Sequence, residues 1–228
     1  MSKETIVIDL GGSILAPKLG QINLRLLKRL RALLKKESKK KRFAVVVGGG
    51  STARNYQKNA RDLKVRDHQS LDWIGIRATQ LNAEFLKAYL GDLASPQLIT
   101  SEEEKDDWKK GILVSGGWHP GNSTDYITLR LAETYQAAKV IIATNIDYVY
   151  DSDPKKNPRA KRFENIGWNE FHRLFNQKWE PGMTVPLDPK AAKLGKKLKI
   201  PLYFLDGNDL ANLEKAISGE NFRGTVVR

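Results

Sequence analysis

Short apolar runs alternate with longer segments of helical periodicity along the whole chain. The apolar runs are rich in Val and Ile, are bounded by Gly, Asn or Asp, and cover residues 5–10, 43–47, 112–115, 139–144, 200–205 and 224–228. The segments with helical spacing cover residues 22–36, 52–62, 70–90, 124–137, 168–178, 189–198 and 209–218. Buried strands that alternate with helices predict a single α/β domain, a three-layer α-β-α sandwich with a mainly parallel central sheet.

Glycine-rich turns follow three of the predicted strands. The sequences GGS at 11–13, GGGST at 48–52 and SGGWHPGNSTD at 115–125 each lead towards a predicted helix. Because ligands of parallel sheets gather at the carboxyl ends of the strands, these turns are expected to lie together there. Bare glycine backbones and helix N-termini bind anions, so the turn at 48–50 is expected to hold a phosphate that Arg54 grips through its guanidinium fork. The chain has neither G-x-x-x-x-G-K-[ST] nor G-x-G-x-x-G, which excludes P-loop and plain dinucleotide-binding folds.

The composition favours an anionic partner and limits the chemistry. Thirty-nine Lys and Arg residues against 26 Asp and Glu residues give a formal net charge of +13. The basic run at 35–42 has no interleaved aromatic residues, so we interpret it as a solvated helix end rather than a nucleic-acid arm. The absence of cysteine excludes disulfides, thiolate zinc sites and thiol nucleophiles. The three histidines, His68, His119 and His172, lack metalloprotease spacing.

Neither a membrane span nor a secretion signal is expected. No apolar run approaches the ~18 residues that cross a bilayer. The first residues, MSKETIVIDLGG, do not show the basic, apolar and small-residue succession of a signal peptide. The sequence therefore predicts a cytoplasmic protein that has no membrane partner.

A series of motifs runs almost from end to end of the chain. In order they are IDLGGSIL, VVVGGGSTARNY, LDWIGIRATQLNA, GGWHPGNSTD, ATNIDYVYDSDPKKNP and LDPKAAK. Together they resemble the amino acid kinase superfamily and, within it, the archaeal-type UMP kinases, which transfer the γ-phosphoryl group of ATP to UMP. Arg54 after the three glycines and Asp72 before the GI-AT-LNA pattern resemble the nucleotide-using branch. Isopentenyl phosphate and acetylglutamate kinases usually have a histidine beside that glycine cluster, and this chain has none.

The resemblance implies an amino acid kinase-like fold in one domain, 1–228, with an acceptor-binding part at roughly 1–138 and a donor-binding part at roughly 139–228. The implied activity is that of an ATP:UMP phosphotransferase of pyrimidine nucleotide synthesis. Mg²⁺ would be held mainly through the ATP phosphates, without a dedicated protein metal site. The implied partners are ATP, UMP and further copies of the chain, assembled as a hexamer that is a trimer of dimers.

Carried over residue by residue, the resemblance implies an acceptor site for UMP. Gly49, Gly50 and Arg54 would hold its phosphate, and Asp72 would bind the ribose hydroxyls. The pocket would be completed by Thr79, Asn122, Thr124 and Asp125. Taken alone, residues 123–125 have an equally good structural role, because Ser123 or Thr124 can cap the following helix and Asp125 favours its N-terminus.

The resemblance also implies a donor site and a catalytic set. The ATP phosphates would lie at Gly11, Gly12 and Ser13, and the ATP base and ribose among Thr144, Asn145, Tyr150 and Asp153. Gly12, Asp188 and Lys193 form the implied catalytic set, in which Asp188 is an organiser because the UMP phosphate is already an anionic nucleophile. Elsewhere, an aspartate before a proline usually only caps a helix, and DSDPKKNP would be a turn-rich connection.

Two positions depart from the family pattern. Asp9 stands where many members have lysine, so Lys193, or as second candidate Lys190, is expected to supply the cation at the transferring phosphoryl group. Tyr148 stands where the donor loop normally has glycine, and at a positive φ a tyrosine would be strained. Both departures leave open a non-catalytic nucleotide-binding or storage protein on the same fold. A nucleic-acid-binding protein is a third hypothesis, supported only by the net charge.

Overall fold

The computed structural model describes residues 3–104, 108, 111–154, 156–175 and 186–228. The first part of the chain forms β1 (Glu4–Leu10), α1 (Gly12–Leu15), α2 (Leu24–Glu37), β2 (Lys41–Val47), α3 (Gly50–Asp62), α4 (His68–Leu90), β3 (Ala94–Ile99), β4 (Ile112–Ser115) and α5 (Thr124–Thr134). The second part forms β5 (Lys139–Thr144), β6 (Val149–Tyr150), β7 (Arg162–Phe163), β8 (Asn165–Ile166), α6 (Trp168–Phe175), α7 (Pro189–Leu198), β9 (Leu202–Asp206), α8 (Leu210–Ser218) and β10 (Thr225–Val227).

Within the described residues, the central sheet has eight strands in the order β3-β4-β2-β1-β5-β9-β10-β8. Every neighbouring pair is parallel except β9 and β10, which run antiparallel. Strands β6 and β7 form a separate antiparallel pair. The predicted mainly parallel sheet is therefore confirmed.

Helices pack on both faces of the sheet. Successive residues of β1 point to opposite faces, so Ile6 and Ile8 lie in one core and Val7 in the other. The first core includes buried side chains of α2, α4 and α8, and the second includes those of α5, α6 and α7. Strands that are buried on both faces have nearly continuous apolar sequences, which explains why the central strands were predictable. The three-layer sandwich is confirmed.

Strand β3 was not predicted from the sequence. Among the described strands it lies at one edge of the sheet and pairs with β4 alone. Pro96 and Gln97 in its middle are exposed, so the segment lacks the apolar run of a central strand. A proline that cannot donate a ladder hydrogen bond is tolerated at such an edge.

The observed C-terminal end of α5 differs from the predicted one. Helix α5 ends at Thr134 rather than at residue 137, because Gln136 has φ +49° and cannot continue a right-handed helix. The predicted helix 168–178 is observed as far as Phe175, and residues 176–178 lie outside the described part of the chain.

Among the described helices, none combines the length and the apolar character that a bilayer span needs.

Candidate active site

Two glycine turns touch each other at the carboxyl ends of β1 and β2. A Cβ atom on Gly12 would lie 2.1 Å from the backbone nitrogen of Gly50 and 2.5 Å from the carbonyl carbon of Gly48. Gly50 also has φ +62°, a conformation that glycine adopts readily. The close contact between the two backbones therefore requires glycine at these positions, whether or not an anion binds there.

The junction of the two turns has the features of an anion site. Helix α1 begins at Gly12 and α3 at Gly50, so first-turn N–H groups that have no intrahelical acceptor meet there. Arg54 of α3 donates from Nη1 to Oγ of Ser13 on α1, over 3.1 Å. Because a guanidinium has several N–H donors, this bond leaves others for an anion. Arg54 thus joins the turn assigned to the acceptor phosphate with the turn assigned to the donor.

A cavity of about 200 Å³ opens beside this junction. Its walls include five of the residues that the resemblance assigned to the acceptor, namely Gly49, Asp72, Thr79, Asn122 and Thr124. The other residues that line it are Ala53, Gln57, Gly75, Ile76, Gly117, Gly121 and Ser123. The structure therefore gathers most of the acceptor candidates, which are far apart in sequence, around one cavity.

Helix α4 holds the glycine-rich loop before α5 in place. Asp72 Oδ2 accepts a hydrogen bond from the N–H of Gly121, over 2.8 Å. Thr79 Oγ1 donates to the carbonyl of Ile76 over 2.6 Å and accepts from the N–H of Gly117 over 2.6 Å. These side chains position the wall of the cavity in addition to any contact with a ligand.

Sequence reasoning missed two amide side chains beside the cavity. Asn82 is buried, and its Nδ2 donates to the carbonyl of Gly48 over 2.8 Å, which anchors the second glycine turn to α4. Gln57 lines the cavity, and its Nε2 donates to the carbonyl of Leu71 over 2.9 Å. The signal for Asn82 was available, because it lies four residues before Leu86 on the apolar face of α4.

Asp125 and Asp188 lie in a buried chain of carboxyl groups that also includes Asp9. Asp9 and Asp188 are buried, with exposed fractions of 4% and 6%, and Asp125 between them is partly buried. Asp125 Oδ2 accepts a hydrogen bond from the N–H of Asp188 over 3.0 Å. Asp9 follows the strand alternation and faces α5, where its Oδ2 lies 3.4 Å from the hydroxyl of Thr128. Asp125 therefore lies where α5 and α7 pack together and does not line the acceptor cavity.

The proposed capping roles of these residues are observed. Ser123 is the N-cap of α5, and its Oγ accepts from the N–H of Tyr126 over 3.1 Å. Asp188 is the N-cap of α7, and its Oδ1 accepts from the N–H groups of Lys190 and Ala191 over 2.7 and 3.2 Å. The hydroxyl of Ser123 also donates to Asp188 Oδ2. The two helix N-termini are thus joined through their capping side chains.

Two of these carboxyl groups, those of Asp9 and Asp125, have pKa values above the ordinary value of an aspartate. Burial, followed by the charge of Asp125, raises the pKa of Asp9 well above its ordinary value. Burial, followed by the charge of Asp188, raises the pKa of Asp125 to about 6. A hydrogen bond between Asp9 and Asp125 raises the pKa of Asp9 and lowers that of Asp125. The hydrogen bond between the two side chains therefore favours the proton on Asp9 and the negative charge on Asp125.

Replacing Asp125 with asparagine should change how stability depends on pH. The pKa of Asp125 is about 6 in the folded protein and 3.8 for an ordinary aspartate, so the wild type loses stability as pH rises between these values. A difference of this size corresponds to about 3 kcal/mol. The free energy of unfolding of Asp125→Asn minus that of the wild type should therefore increase from about pH 4 to about pH 7. Urea unfolding across this range tests it, and a difference independent of pH would contradict the assignment.

The two lysine candidates occupy different environments. Lys190 Nζ donates to the carbonyl of Gly121, in the wall of the cavity, over 2.6 Å. Lys193 is exposed, and no ion pair or hydrogen bond of its side chain is found among the described residues. The structure thus brings Lys190 to the acceptor cavity and leaves Lys193 on the outer face of α7.

The donor candidates lie around the carboxyl end of β5. Thr144 is the last residue of β5, and the N–H of Gly11 donates to the carbonyl of the preceding Ala143 over 2.9 Å. The hydroxyl of Thr144 lies 3.4 Å from Oδ1 of the adjacent Asn145. The first glycine turn and the end of β5 therefore lie side by side. An ATP site formed by residues of both segments requires this arrangement.

Two further donor candidates belong to the segment after β5. The Tyr150 hydroxyl, in β6, donates to Asp147 Oδ1 over 3.1 Å. Burial, followed by this hydrogen bond, raises the pKa of the Tyr150 phenol above its ordinary value. The carbonyl of Asp153 accepts from the N–H groups of Lys156 and Asn157, so this part of DSDPKKNP forms the predicted turn.

Tyr148 is accommodated without backbone strain. It is not among the described residues that have a positive φ, so the penalty expected for a tyrosine at a glycine position does not arise. Its ring is 7% exposed, and the guanidinium of Arg162, in β7, lies 4.7 Å from the ring centroid. This cation–π contact connects the loop before β6 to β7.

Comparison with known proteins decides the family. The model of the amino acid kinase family matches residues 4–206. The chain belongs to the amino acid kinase family. This family member is 37% identical to the uridylate kinase of Thermococcus kodakarensis, over 97% of this chain and 98% of the relative. It is 39% identical to the uridylate kinase of Methanospirillum hungatei, over 98% and 94% of the two chains. Among solved structures, the uridylate kinase of Archaeoglobus fulgidus superposes with a TM-score of 0.84 at 32% identity, covering 98% of this chain and 99% of that one.

Proposed function

We propose that this amino acid kinase transfers the γ-phosphoryl group of ATP to UMP, giving UDP and ADP, as a step of pyrimidine nucleotide synthesis. The observation that carries the proposal is the cavity lined by Gly49 and Asp72, which opens beside two touching glycine turns bridged by Arg54. Relatives that match nearly the whole chain are uridylate kinases, which supports UMP as the acceptor. The division into an acceptor-binding part, about 1–138, and a donor-binding part, about 139–228, follows the same distribution of candidates.

The reaction needs positioning and charge neutralisation rather than a strong base. A phosphate oxygen of UMP attacks the γ-phosphorus of ATP, and the bond to the β–γ bridging oxygen breaks with its electron pair on ADP. Arg54 and the N–H groups at the start of α3 bind the acceptor phosphate. The N–H groups of Gly12 and Ser13 bind the transferring group, and Asp72 holds the ribose.

The described residues suit a Mg²⁺ ion that is carried by ATP. Both carboxylate oxygens of Asp188 already accept hydrogen bonds from protein groups, and no cluster of three metal-ligating side chains is found in the part of the chain that the structure describes. Mg²⁺ commonly keeps several waters and binds through substrate phosphates. When bound with ATP, the ion would neutralise charge on the phosphates.

The acceptor is tested by ADP release with ATP, Mg²⁺ and one candidate acceptor at a time. The panel is UMP, CMP, AMP, GMP and isopentenyl phosphate. We expect the highest kcat/KM with UMP. Equal or better turnover with AMP, GMP or isopentenyl phosphate would overturn the proposal.

Alanine variants can show whether Lys190 or Lys193 provides the positive charge at the transferring phosphoryl group. Because Lys190 Nζ reaches the cavity wall at Gly121, Lys190→Ala should lower kcat by about 100-fold, the scale of one preorganised transition-state donor. Lys193→Ala, on the exposed face of the same helix, is the matched control and should stay within about threefold. Steady-state rates with both substrates saturating decide between them. A large fall in kcat for Lys193→Ala with a normal kcat for Lys190→Ala would show that Lys193 provides this charge, as expected from the sequence.

The exposed face of α4 supports a homo-oligomer. Trp73, Leu81, Phe85 and Tyr89 are spaced at multiples of four residues, and they are 37%, 64%, 41% and 36% exposed. Arg77 completes the row, with its guanidinium 5.2 Å from the centroid of the Trp73 ring. Such a row forms one ridge of the helix surface, and large apolar ridges mark interaction sites. A second copy of the chain, packed through the same ridge about a two-fold axis, would bury it, and three such dimers would form the hexamer.

Charges placed in this ridge should separate the subunits. We expect the double variant Leu81→Glu, Phe85→Glu to sediment as a smaller species than the wild type, because two buried carboxylates per subunit oppose association. Leu19→Glu introduces one such charge at an exposed leucine outside α4 and is the control. Sedimentation velocity of the three proteins tests this, and an unchanged assembly in the double variant would move the interface elsewhere.

A further inference from the structure

The carboxamide of Gln57 is held in a fixed orientation in the wall of the acceptor cavity. Only its nitrogen can donate, and Nε2 donates to the carbonyl of Leu71 over 2.9 Å. Nε2 also lies 2.7 Å from the position that a Cβ on Gly75 would occupy, so the glycine on α4 makes room for the amide. Within the described part of the chain, no hydrogen bond to Gln57 Oε1 is found. The cavity therefore contains an oriented acceptor that no protein donor uses.

The neighbouring acceptor in the cavity, Asp72, is already partly used. Its Oδ2 accepts from the N–H of Gly121 over 2.8 Å, which leaves Oδ1 as the oxygen without a recorded donor in the described residues. A ribose presents two vicinal hydroxyl groups, and each is a hydrogen-bond donor. A second oriented acceptor beside Asp72 would give each hydroxyl a partner of its own. Gln57 Oε1 is the acceptor that the same cavity supplies.

The positions of the residues that line the cavity agree with this assignment. Gly49, at the phosphate turn, has its Cβ position 3.5 Å from the carbonyl of Gly75. Gln57 Nε2 lies 2.7 Å from the Cβ position of the same Gly75, and Asp72 lies three residues before Gly75 on α4. Gly75 therefore adjoins both the phosphate turn and Gln57, which places Gln57 near that turn in the wall of the same cavity.

On the basis of the proposed function, we infer that Gln57 determines sugar specificity by accepting a hydrogen bond from one ribose hydroxyl while Asp72 accepts from the other. A polar site built for a hydroxyl discriminates against the analogue that lacks it, because the protein group is left unpaired. The chain should therefore prefer ribonucleotide acceptors over deoxyribonucleotides, and Gln57 should carry part of that preference.

The experiment compares kcat/KM for UMP, 2′-deoxy-UMP and 3′-deoxy-UMP in the full-length wild type and in Gln57→Leu. Gln57→Leu should lower kcat/KM for UMP by about threefold to tenfold, mainly through KM, as expected for one neutral hydrogen bond. It should leave one deoxy acceptor nearly unchanged, which identifies the hydroxyl that Gln57 binds. The ratio of UMP to that analogue should thus fall by the same factor.

Gln80→Leu is the matched control for loosening of the cavity wall. Gln80 Nε2 donates to the carbonyl of Gly117 over 2.9 Å, but its Oε1 is occupied by Arg77. Gln80→Leu should therefore affect all three acceptors equally. An equal loss for all three acceptors in Gln57→Leu as well would overturn the inference and leave a structural role for the amide. Absence of UMP turnover in the wild type would instead overturn the proposed function.

Discussion

Arg54→Ala should weaken UMP binding by about 2 to 4 kcal/mol, because it removes a charge-assisted fork from a phosphate held at a helix N-terminus. The structure adds that Arg54 reaches Ser13, on the turn assigned to the donor. The affinity for UMP should fall, whereas the affinity for ATP should change little, because the turn assigned to the donor keeps its own N–H groups. Separate calorimetric titrations of UMP and of an unreactive ATP analogue measure the two affinities.

Arg54→Lys separates charge from geometry. Lysine keeps the positive charge but offers no planar fork, so this variant should recover only part of the UMP affinity. Arg61→Ala, in the last turn of the same helix, is the control for overall charge. An unchanged UMP affinity in Arg54→Ala would show that Arg54 only connects α1 and α3.

Gly12→Ala should be strongly destabilising. The added methyl group would lie 2.1 Å from Gly50 N and 2.7 Å from the carbonyl oxygen of Gly48, and both obstacles are backbone. Overpacking against groups that cannot rotate away costs about 3 kcal/mol or more, so the two turns would separate. We expect a large fall in thermal stability and loss of turnover together.

Gly167→Ala is the matched control for Gly12→Ala. The nearest atom to its added Cβ is the carbonyl oxygen of Arg228 at 3.9 Å, an ordinary contact. Its melting temperature should stay close to that of the wild type, or rise slightly, because alanine restricts the unfolded chain. A Gly12→Ala variant as stable as Gly167→Ala would show that the two turns are not in contact in solution.

Much of the fold and of the candidate cavity could be predicted from local sequence. The central strands are buried on both faces and therefore show continuous apolar runs, and glycine turns at their carboxyl ends necessarily share one edge of the sheet. Asp72 and Thr79 could be added only through the family resemblance, because a helical aspartate or threonine has no local signature of ligand binding. Strand β3 was missed because its polar, exposed centre resembles a loop.

The buried carboxyl chain could not be predicted because it depends on tertiary packing. Asp9, Asp125 and Asp188 belong to β1, α5 and α7, and each taken alone has an ordinary explanation as a strand end or a helix cap. Their contact exists only because α5 and α7 pack on the face of the sheet towards which Asp9 points. The sequence ranked Lys193 before Lys190, and the reverse order proposed above rests on the contact between Lys190 and Gly121, which also depends on tertiary packing.

We expect this chain to transfer a phosphoryl group between two nucleotides bound on either side of its glycine turns. The most direct test is phosphorus NMR of the wild-type protein mixed with ATP, Mg²⁺ and UMP. We predict that UDP and ADP appear in equal amounts as UMP and ATP disappear. Binding of both nucleotides with ATP left intact and no UDP formed would contradict the account and would indicate a nucleotide-binding protein without kinase activity.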